Sequence, residues 1–425
     1  MGIACSARTG IMSSPSACMM LPDRKPSSKI KQMMAVMEAL KLGTVTQNAY
    51  CLWEGHRLLT KRLFQVLFLF FLLLTTSDQS LAQNASNDEI QAFLNQLFHN
   101  RVQLLVHHRQ EQLKPFYLQT EKRSKNAMEH EFHRSYYLKK WAEARGVQFV
   151  KATGDIRIVR VNKVGDSTRV SLVHSLQLTY QYPTQGEHTM GIGTRHVLNL
   201  KKNDGNWYVF KEWYLDPLEE NPRLIPTTKQ VSELTADQNL HSRKGNKKYN
   251  RKKAVQYADK YAGLANQAGQ NRRYNQKYLD YTYQGGDCTN FTSQVLGDKE
   301  EGGGLPMRSD WRYRYNQGGN VAWVRTDSFN SFLIRSGYGK LIAKGTYEQI
   351  AKPTPKFPGT ALSKLQPGDV IGYEMNGDVD HFSIVTARDI QGYVLVNSHT
   401  ADRYHVPWDL GWDKRTKFLL YRIGD

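Results

Sequence analysis

Cysteine is rare in this chain of 425 residues, which holds four: Cys5, Cys18, Cys51 and Cys288. The first three precede residue 83, so the chain beyond that point has one thiol and cannot form an intramolecular disulfide. A disulfide-stapled fold is therefore excluded for that part. The count alone leaves two interpretations of Cys288 open, a buried inert thiol and a reactive one.

Acidic residues are also scarce, 39 against 58 lysines and arginines, and the formal net charge is +19. Such a charge attracts anionic polymers, whether nucleic acid, anionic membrane or bacterial wall material, and does not choose among them. Clusters of metal-ligand type are missing as well. Glu129–His133 (EHEFH) has one suggestive histidine spacing, but nothing pairs with it, so we expect neither a metal nor a cofactor.

Long apolar runs are limited to one, the twelve residues Leu63–Leu74. This run is shorter than the ~20 residues of a membrane-spanning helix. Arg57, Lys61 and Arg62 precede it, and the small-residue site 80–82 follows. The pattern predicts that residues 1–82 comprise an N-terminal extension and a cleaved secretory signal peptide, with an uncleaved anchor as the alternative. A secreted protein without disulfides fits a Gram-positive bacterium.

Residues 83–225 read as a first domain of α+β class. Apolar residues at helical spacing predict helices from 87 to about 113 and from 120 to about 144. Alternating residues then predict four strands, at 155–164, 168–182, 190–201 and 207–215. The order resembles the cone-shaped fold of the nuclear-transport-factor superfamily. Scattered histidines here form no catalytic pattern.

Residues 226–250 are polar and strongly basic, which is typical of a linker between domains. Few aromatic residues are interleaved with the charges, so a nucleic-acid site is not favoured. Solvation, or contact with an anionic wall polymer, is the preferred interpretation.

The segment GGDCTNFTSQVLG in the last domain, residues 251–425, predicts a helix that begins at Cys288. A thiol at the positive end of a helix dipole has a lowered pKa and is nucleophilic. Asp287 would cap this helix or bind substrate. The backbone N–H of Cys288 would belong to an oxyanion hole, with Gln284 and Asn290 as candidates for a second donor.

The base must come from His381, His399 or His405, because the fourth histidine of this part, His241, lies in the linker. His381 opens a strand-like run, HFSIVTARD, which suits a base facing a nucleophile at a helix start. The next predicted strand, GYVLVNSHT, carries Asn397 and His399 on one face. Either could orient the imidazole of His381.

Several segments in order now mark a resemblance: GGDCTNFTSQVL, Gly303–Met307 (GGLPM), Trp311, Trp323, Leu365–Tyr373 (LQPGDVIGY) and HFSIVT. Together they resemble the amidase domain of Gram-positive exported proteins, which is similar to the papain-like CHAP amidohydrolases that cut peptidoglycan. The resemblance covers about residues 250–425. It implies a papain-like domain with helices packed on an antiparallel sheet.

The resemblance also implies Cys288 as nucleophile, His381 as base and Asn397 as third catalytic residue, with His399 as its competitor. Trp311 would line a substrate groove or, by default, support the core. We therefore expect a secreted, wall-associated enzyme that cleaves peptidoglycan as an N-acetylmuramoyl-L-alanine amidase or a peptide endopeptidase. No metal, nucleic acid or stable membrane span is implied. The alternative is a non-catalytic wall-binding protein that retains the fold.

Overall fold

The computed structural model describes residues 87–184, 186–218, 221–227, 249–265 and 274–424. The predicted extension and signal peptide (1–82) and most of the predicted linker (228–248) lie outside these residues. From Ile90 onward the described residues belong to one compact unit. None of the helices described is both long and apolar enough to cross a membrane.

Two helices open the fold, α1 over residues 87–107 and α2 over Lys122–Arg145. Both were predicted, but α1 ends sooner than expected because His108 adopts a left-handed conformation, with φ 57°. A short 3-10 turn, Gln110–Gln112, replaces the rest of the predicted helix, and a second one, Lys114–Phe116, follows it. Gly146, with φ 69°, ends α2 in the usual left-handed cap.

Four antiparallel strands follow: β1 (Gln148–Val164), β2 (Ser167–Gln181), β3 (Glu187–Asn203) and β4 (Asn206–Tyr214). They confirm the predicted meander.

The remaining chain alternates short helices with strands, and the bounds are as follows. The helices are α3 (Arg251–Lys260), α4 (Cys288–Gly297), α5 (Val321–Val324), α6 (Thr326–Ser336) and α7 (Tyr347–Ile350). The strands are β5 (Tyr313–Arg314), β6 (Gly318–Gly319), β7 (Gly339–Thr346), β8 (Val370–Met375), β9 (Asp378–Arg388), β10 (Val394–Ser398), β11 (Asp402–Pro407) and β12 (Lys417–Ile423).

One antiparallel sheet runs through both predicted domains. Within the described chain it has ten strands, in the order β1-β2-β3-β11-β10-β9-β8-β12-β7, with β4 also paired to β3. The junction is the pairing of β3 with β11, where Asp402 lies opposite Gly193 and Tyr404 opposite Gly191. The α+β class with a large antiparallel sheet is thus confirmed, whereas the papain-like and cone-shaped details stay predictions.

The second half of the sheet is covered on both faces. On one face, Phe382 and Ile384 of β9 share a core with Phe291 of α4 and Phe329 of α6. On the other face, strand residues including Tyr373, Val385 and Val396 share a core with Trp408 and Trp412. Helix α4, and with it Cys288, is therefore placed against a defined side of β9.

Candidate active site

Cys288 is the first residue of α4, as predicted, and it is fully buried. A tight turn leads into the helix, in which the N–H groups of Gln284 and Gly286 both donate to the carbonyl of Tyr281. Gly285 and Gly286 have φ values of 106° and 119°, which favour glycine over residues with a Cβ. The glycine pair thus sets the direction in which the chain enters α4.

Asp287 occupies the N-cap position, but its carboxylate accepts no hydrogen bond from the backbone of α4. Its Oδ1 accepts from the Tyr281 N–H at 2.9 Å and from the Asn290 side-chain amide at 2.8 Å. Its Oδ2 lies 2.6 Å from Nδ1 of His399. Asp287 therefore ties the entry turn, the helix and the end of β10 together.

His399 is held through both ring nitrogens. Its Nε2 lies 2.7 Å from the carbonyl oxygen of Tyr261, which can only accept, so Nε2 carries a hydrogen. Its Nδ1 is hydrogen-bonded to the carboxylate of Asp287. Burial raises the pKa of this carboxyl. Because both nitrogens are occupied, His399 positions Asp287 in this geometry and is not available as a base.

His381 lies on β9 opposite Tyr373 and is buried. The ring centroids of Tyr373 and Trp412 each lie 5.5 Å from the imidazole centroid. Side chains alternate along a strand, so His381 faces these rings while Phe382 faces α4. Neither ring nitrogen has a hydrogen-bond partner among the described residues, and hence neither is bonded to Cys288.

Asp380, the residue before His381, was not predicted. A bulge in the β8–β9 pairing leaves it without a register partner, and it is 8% exposed. Burial raises the pKa of Asp380 to about 6, and the charges of Asp378, Asp327 and Cys288 add to the shift. Its carboxylate therefore lies near the thiol and titrates near pH 6. The one sequence feature that could have identified Asp380 is its position directly before His381.

Asn397 makes hydrogen bonds through both amide atoms, away from His381. Its Nδ2 donates to the carbonyl of Ala258 at 3.1 Å and to Asp259 at 2.9 Å. Its Oδ1 accepts from the His405 N–H at 2.8 Å and from Thr386 at 3.1 Å. These bonds hold α3 against β10 and β11. Its assignment as third catalytic residue stays a prediction.

The remaining sequence candidates divide between core and surface. Trp311 is fully buried, donates to Ser293 of α4 at 3.0 Å and stacks on Phe332, so it supports α4 from within the core. Asn290 donates to Leu279 and Asp287 and accepts from Trp323, which leaves it no free atom for an oxyanion. Gln284 is exposed on the entry turn.

No group of three or more His, Cys, Asp or Glu side chains in the described part of the chain is arranged to hold a metal ion. The structure brings together the thiol at a helix start and the carboxylate of Asp380, whose pKa is raised to about 6. The imidazole of His381 lies on the opposite face of β9.

Comparison with known proteins supports an amidase domain here. Residues 248–421 match the model of a protein family described as "Putative amidase domain", which indicates an amide-bond hydrolase. An uncharacterized protein of Bacillus subtilis (strain 168), YhbB, is 31% identical over 156 residues. That match covers 36% of this chain and 42% of YhbB, so the chain spans about two fifths of its relative.

A solved structure, the intermembrane space region of the chloroplast protein ARC6, also matches at 10% identity. It covers 30% of this chain and 93% of its own length, with a TM-score of 0.23.

Proposed function

We propose that this protein is a secreted cysteine amidohydrolase that cleaves amide bonds of bacterial peptidoglycan. The observation that carries the proposal is the position of Cys288 as first residue of α4, inside the segment that matches the amidase family. At that position the helix dipole favours the thiolate, which is the nucleophilic form.

The reaction would proceed in two halves through an acyl-enzyme. His381 takes the proton of the Cys288 thiol, and the sulfur attacks the amide carbonyl to give a tetrahedral intermediate. The C–N bond then breaks, and the imidazolium returns the proton to the leaving amine. Water, deprotonated by the same imidazole, releases the acid and regenerates the thiol.

Two unoccupied ring nitrogens support His381 as the base, because a buried imidazole without a partner needs an explanation. In this structure the imidazole packs against Tyr373 and Trp412, on the face of β9 opposite to α4. The proposal therefore requires β9 to turn His381 toward Cys288 when substrate binds. Asn397 stays the candidate third residue, which would hold the imidazole of His381. In this structure its amide is bonded to Ala258, Asp259 and the His405 N–H instead.

The net charge of +19 and the predicted signal peptide support an anionic wall polymer outside the cell as the substrate. Whether the bond is that of an N-acetylmuramoyl-L-alanine amidase or of a peptide bridge is an outcome of the test. Mass spectrometry of the fragments released from purified peptidoglycan distinguishes the two, because new amino termini identify the cleaved bond.

The first experiment measures dye release from labelled cell walls by the wild type, Cys288→Ala and Cys288→Ser. We expect at least a thousandfold loss in both variants, since nothing replaces the nucleophile. A surface variant, Arg169→Met, serves as the control and should retain full activity. Undiminished release by Cys288→Ala would reject the nucleophile.

The competing hypothesis, a non-catalytic wall-binding protein, makes a different prediction about the thiol. Because Cys288 is fully buried, it must become accessible in the folded enzyme for substrate to reach it. Iodoacetamide should therefore label Cys288 at neutral pH without denaturant, and His381→Ala should slow the labelling. Labelling that appears only on unfolding supports the binding protein.

A further inference from the structure

The first α+β part of the chain makes a close contact with the part that holds Cys288. Gly191 and Gly193 on β3 lie against the 3-10 turn Gly263–Ala265, which follows α3. A Cβ at Gly191 would collide with the carbonyl oxygen of Ala265, and one at Gly193 with the Cβ of Leu264. The two main chains therefore pack directly against each other, so the position of β3 determines the position of this turn.

Arg195 extends the contact two residues further along β3. Its Nη2 lies 3.4 Å from Oδ2 of Asp402, and its guanidinium carbon lies 5.3 Å from the ring centroid of Tyr274. Asp402 is completely buried and also accepts from the Tyr274 hydroxyl at 2.5 Å and from the Leu264 N–H at 2.8 Å. Within the described part of the chain, this guanidinium is the cation that pairs with the buried carboxylate.

Tyr274 passes this contact on to His399. The two rings stack with centroids 3.6 Å apart and planes 8° apart, and Phe291 of α4 stacks on the same imidazole at 3.9 Å. Two rings cannot stack on one face, so the imidazole lies between Tyr274 and Phe291. Its Nδ1 is bonded to Asp287, the residue before Cys288.

We propose that Arg195 is a positioning residue for the thiol: through Asp402 and Tyr274 it fixes His399, and through His399 and Asp287 it fixes the first turn of α4. The first α+β part is then a structural component of the reactive centre and not a separate binding module. This inference rests on the proposed function, because it assumes that Cys288 is the nucleophile.

The reason to expect an effect on reactivity is geometric. Without the guanidinium, the partners that remain to Asp402 among the described residues are the neutral Tyr274 hydroxyl and Leu264 N–H, and Tyr274 loses the group above its ring. The imidazole can then shift, and Asp287 follows it. Displacing a nucleophile by about 1 Å lowers the rate roughly a hundredfold. The loss of Arg195 should displace Cys288 by less than this, so we expect a fall of about tenfold.

The experiment compares the wild type, Arg195→Met, Arg195→Lys and the control Arg169→Met, an exposed arginine on neighbouring β2. It measures the rate of Cys288 alkylation by iodoacetamide from pH 5 to 9, kcat and KM for wall hydrolysis, and the thermal midpoint. We expect Arg195→Met to lower the limiting alkylation rate and kcat about tenfold with KM little changed, and Arg195→Lys to recover part of both. Arg169→Met should match the wild type.

The outcomes separate the two proposals. A wild-type thiol that alkylates normally while Arg195→Met lowers only the thermal midpoint rejects the positioning role and leaves the enzyme in place. A wild-type thiol that is inert in the folded protein rejects the enzyme, and the positioning role with it.

A second pair of variants covers the case that Arg195→Met does not fold. Tyr274→Phe keeps the ring that stacks on His399 and loses the hydroxyl, whereas Tyr274→Leu loses the ring. We expect Tyr274→Leu to slow alkylation about tenfold and Tyr274→Phe to slow it less than threefold. Equal rates in both variants would contradict transmission through the stack.

Discussion

The carboxylate of Asp287, the residue before Cys288, lies 2.6 Å from Nδ1 of His399, and both side chains are buried. The remaining oxygen of Asp287 and the remaining nitrogen of His399 are bonded to main-chain groups of Tyr281 and Tyr261. The pair is therefore a fully satisfied buried connection between α4, α3 and β10.

Breaking this pair should destabilise the fold strongly, because a single substitution leaves a buried polar group uncompensated. We expect Asp287→Asn and His399→Asn each to lower the free energy of unfolding by about 3 kcal/mol. The double variant should lose clearly less than the sum. Urea denaturation of the four proteins measures the coupling, and strictly additive losses would contradict the pairing. The exposed pair Lys140–Glu143 is the control, for which Glu143→Gln should cost less than about 1 kcal/mol.

The carboxylate of Asp380 should make thiol reactivity depend on pH. With its pKa raised to about 6, Asp380 becomes negative as the pH rises through that value and then opposes a thiolate at Cys288. We expect Asp380→Asn to move the pH profile of Cys288 alkylation to lower pH. The pH profile of alkylation measures this, with Asp166→Asn, on an exposed hairpin, as the control.

The same variant has a stability signature with a defined sign. A carboxyl whose pKa is higher in the folded than in the unfolded state stabilises the fold at low pH, and this contribution is lost as the pH rises through the folded value. For Asp380 the loss falls between about pH 4 and the folded value of about 6. In Asp380→Asn the fall of stability over this window should be smaller than in the wild type. An unchanged slope would contradict the raised pKa.

The contact between β3 and the turn Gly263–Ala265 should not tolerate a side chain. We expect Gly191→Ala to lower the free energy of unfolding by more than about 3 kcal/mol, because its Cβ meets main-chain atoms that cannot move independently. Gly186→Ala is the matched control, since the nearest atom there is a side-chain methyl group of Ile390 at 3.7 Å. Thermal unfolding measures both. Equal thermal midpoints of Gly191→Ala and Gly186→Ala would show that β3 and the turn are not in direct contact.

The amidase-like part alone should not form a stable fold. Asp409 accepts from Arg145 and Trp141, and Asp389 accepts from Tyr180 and Tyr182, all of which belong to the first α+β part. A fragment of residues 249–425 would lose these partners and would expose Val406 and Leu410, which share a hydrophobic core with the first part. We expect no cooperative thermal transition by circular dichroism, in contrast to a protein comprising residues 83–425. A fragment with native-like melting would refute this.

The sequence predicted those elements that are written in local patterns. The helix at Cys288 and the strands that carry His381 and Asn397 follow from periodicity and from the glycines that precede α4, and the structure confirms them. The four-stranded meander was equally legible, because its strands alternate and its turns carry Asp166 and Asp204.

What the sequence could not predict depends on contacts between distant segments. No local sequence pattern indicates the β3–β11 pairing, since glycines such as Gly191 and Gly193 indicate only reduced strand propensity. The same holds for Arg195 and Tyr274, which are unremarkable residues until Asp402 brings them together. The bulge at Asp380 is invisible as well, because an extra residue in one strand is defined only by its partner strand.

The central position of β11 has a consequence for how the chain acquires its fold. Asp402 pairs with Gly193, roughly 200 positions earlier, and contacts of such long range slow folding because a large loop must close first. The stretch of β3 that receives β11, residues 191–193, has no partner on that edge until nearly the whole chain has emerged, whereas β4 pairs with the same edge from residue 196 onward. A nascent molecule therefore passes through a stage in which it is prone to aggregate. Refolding yield should accordingly fall steeply with protein concentration.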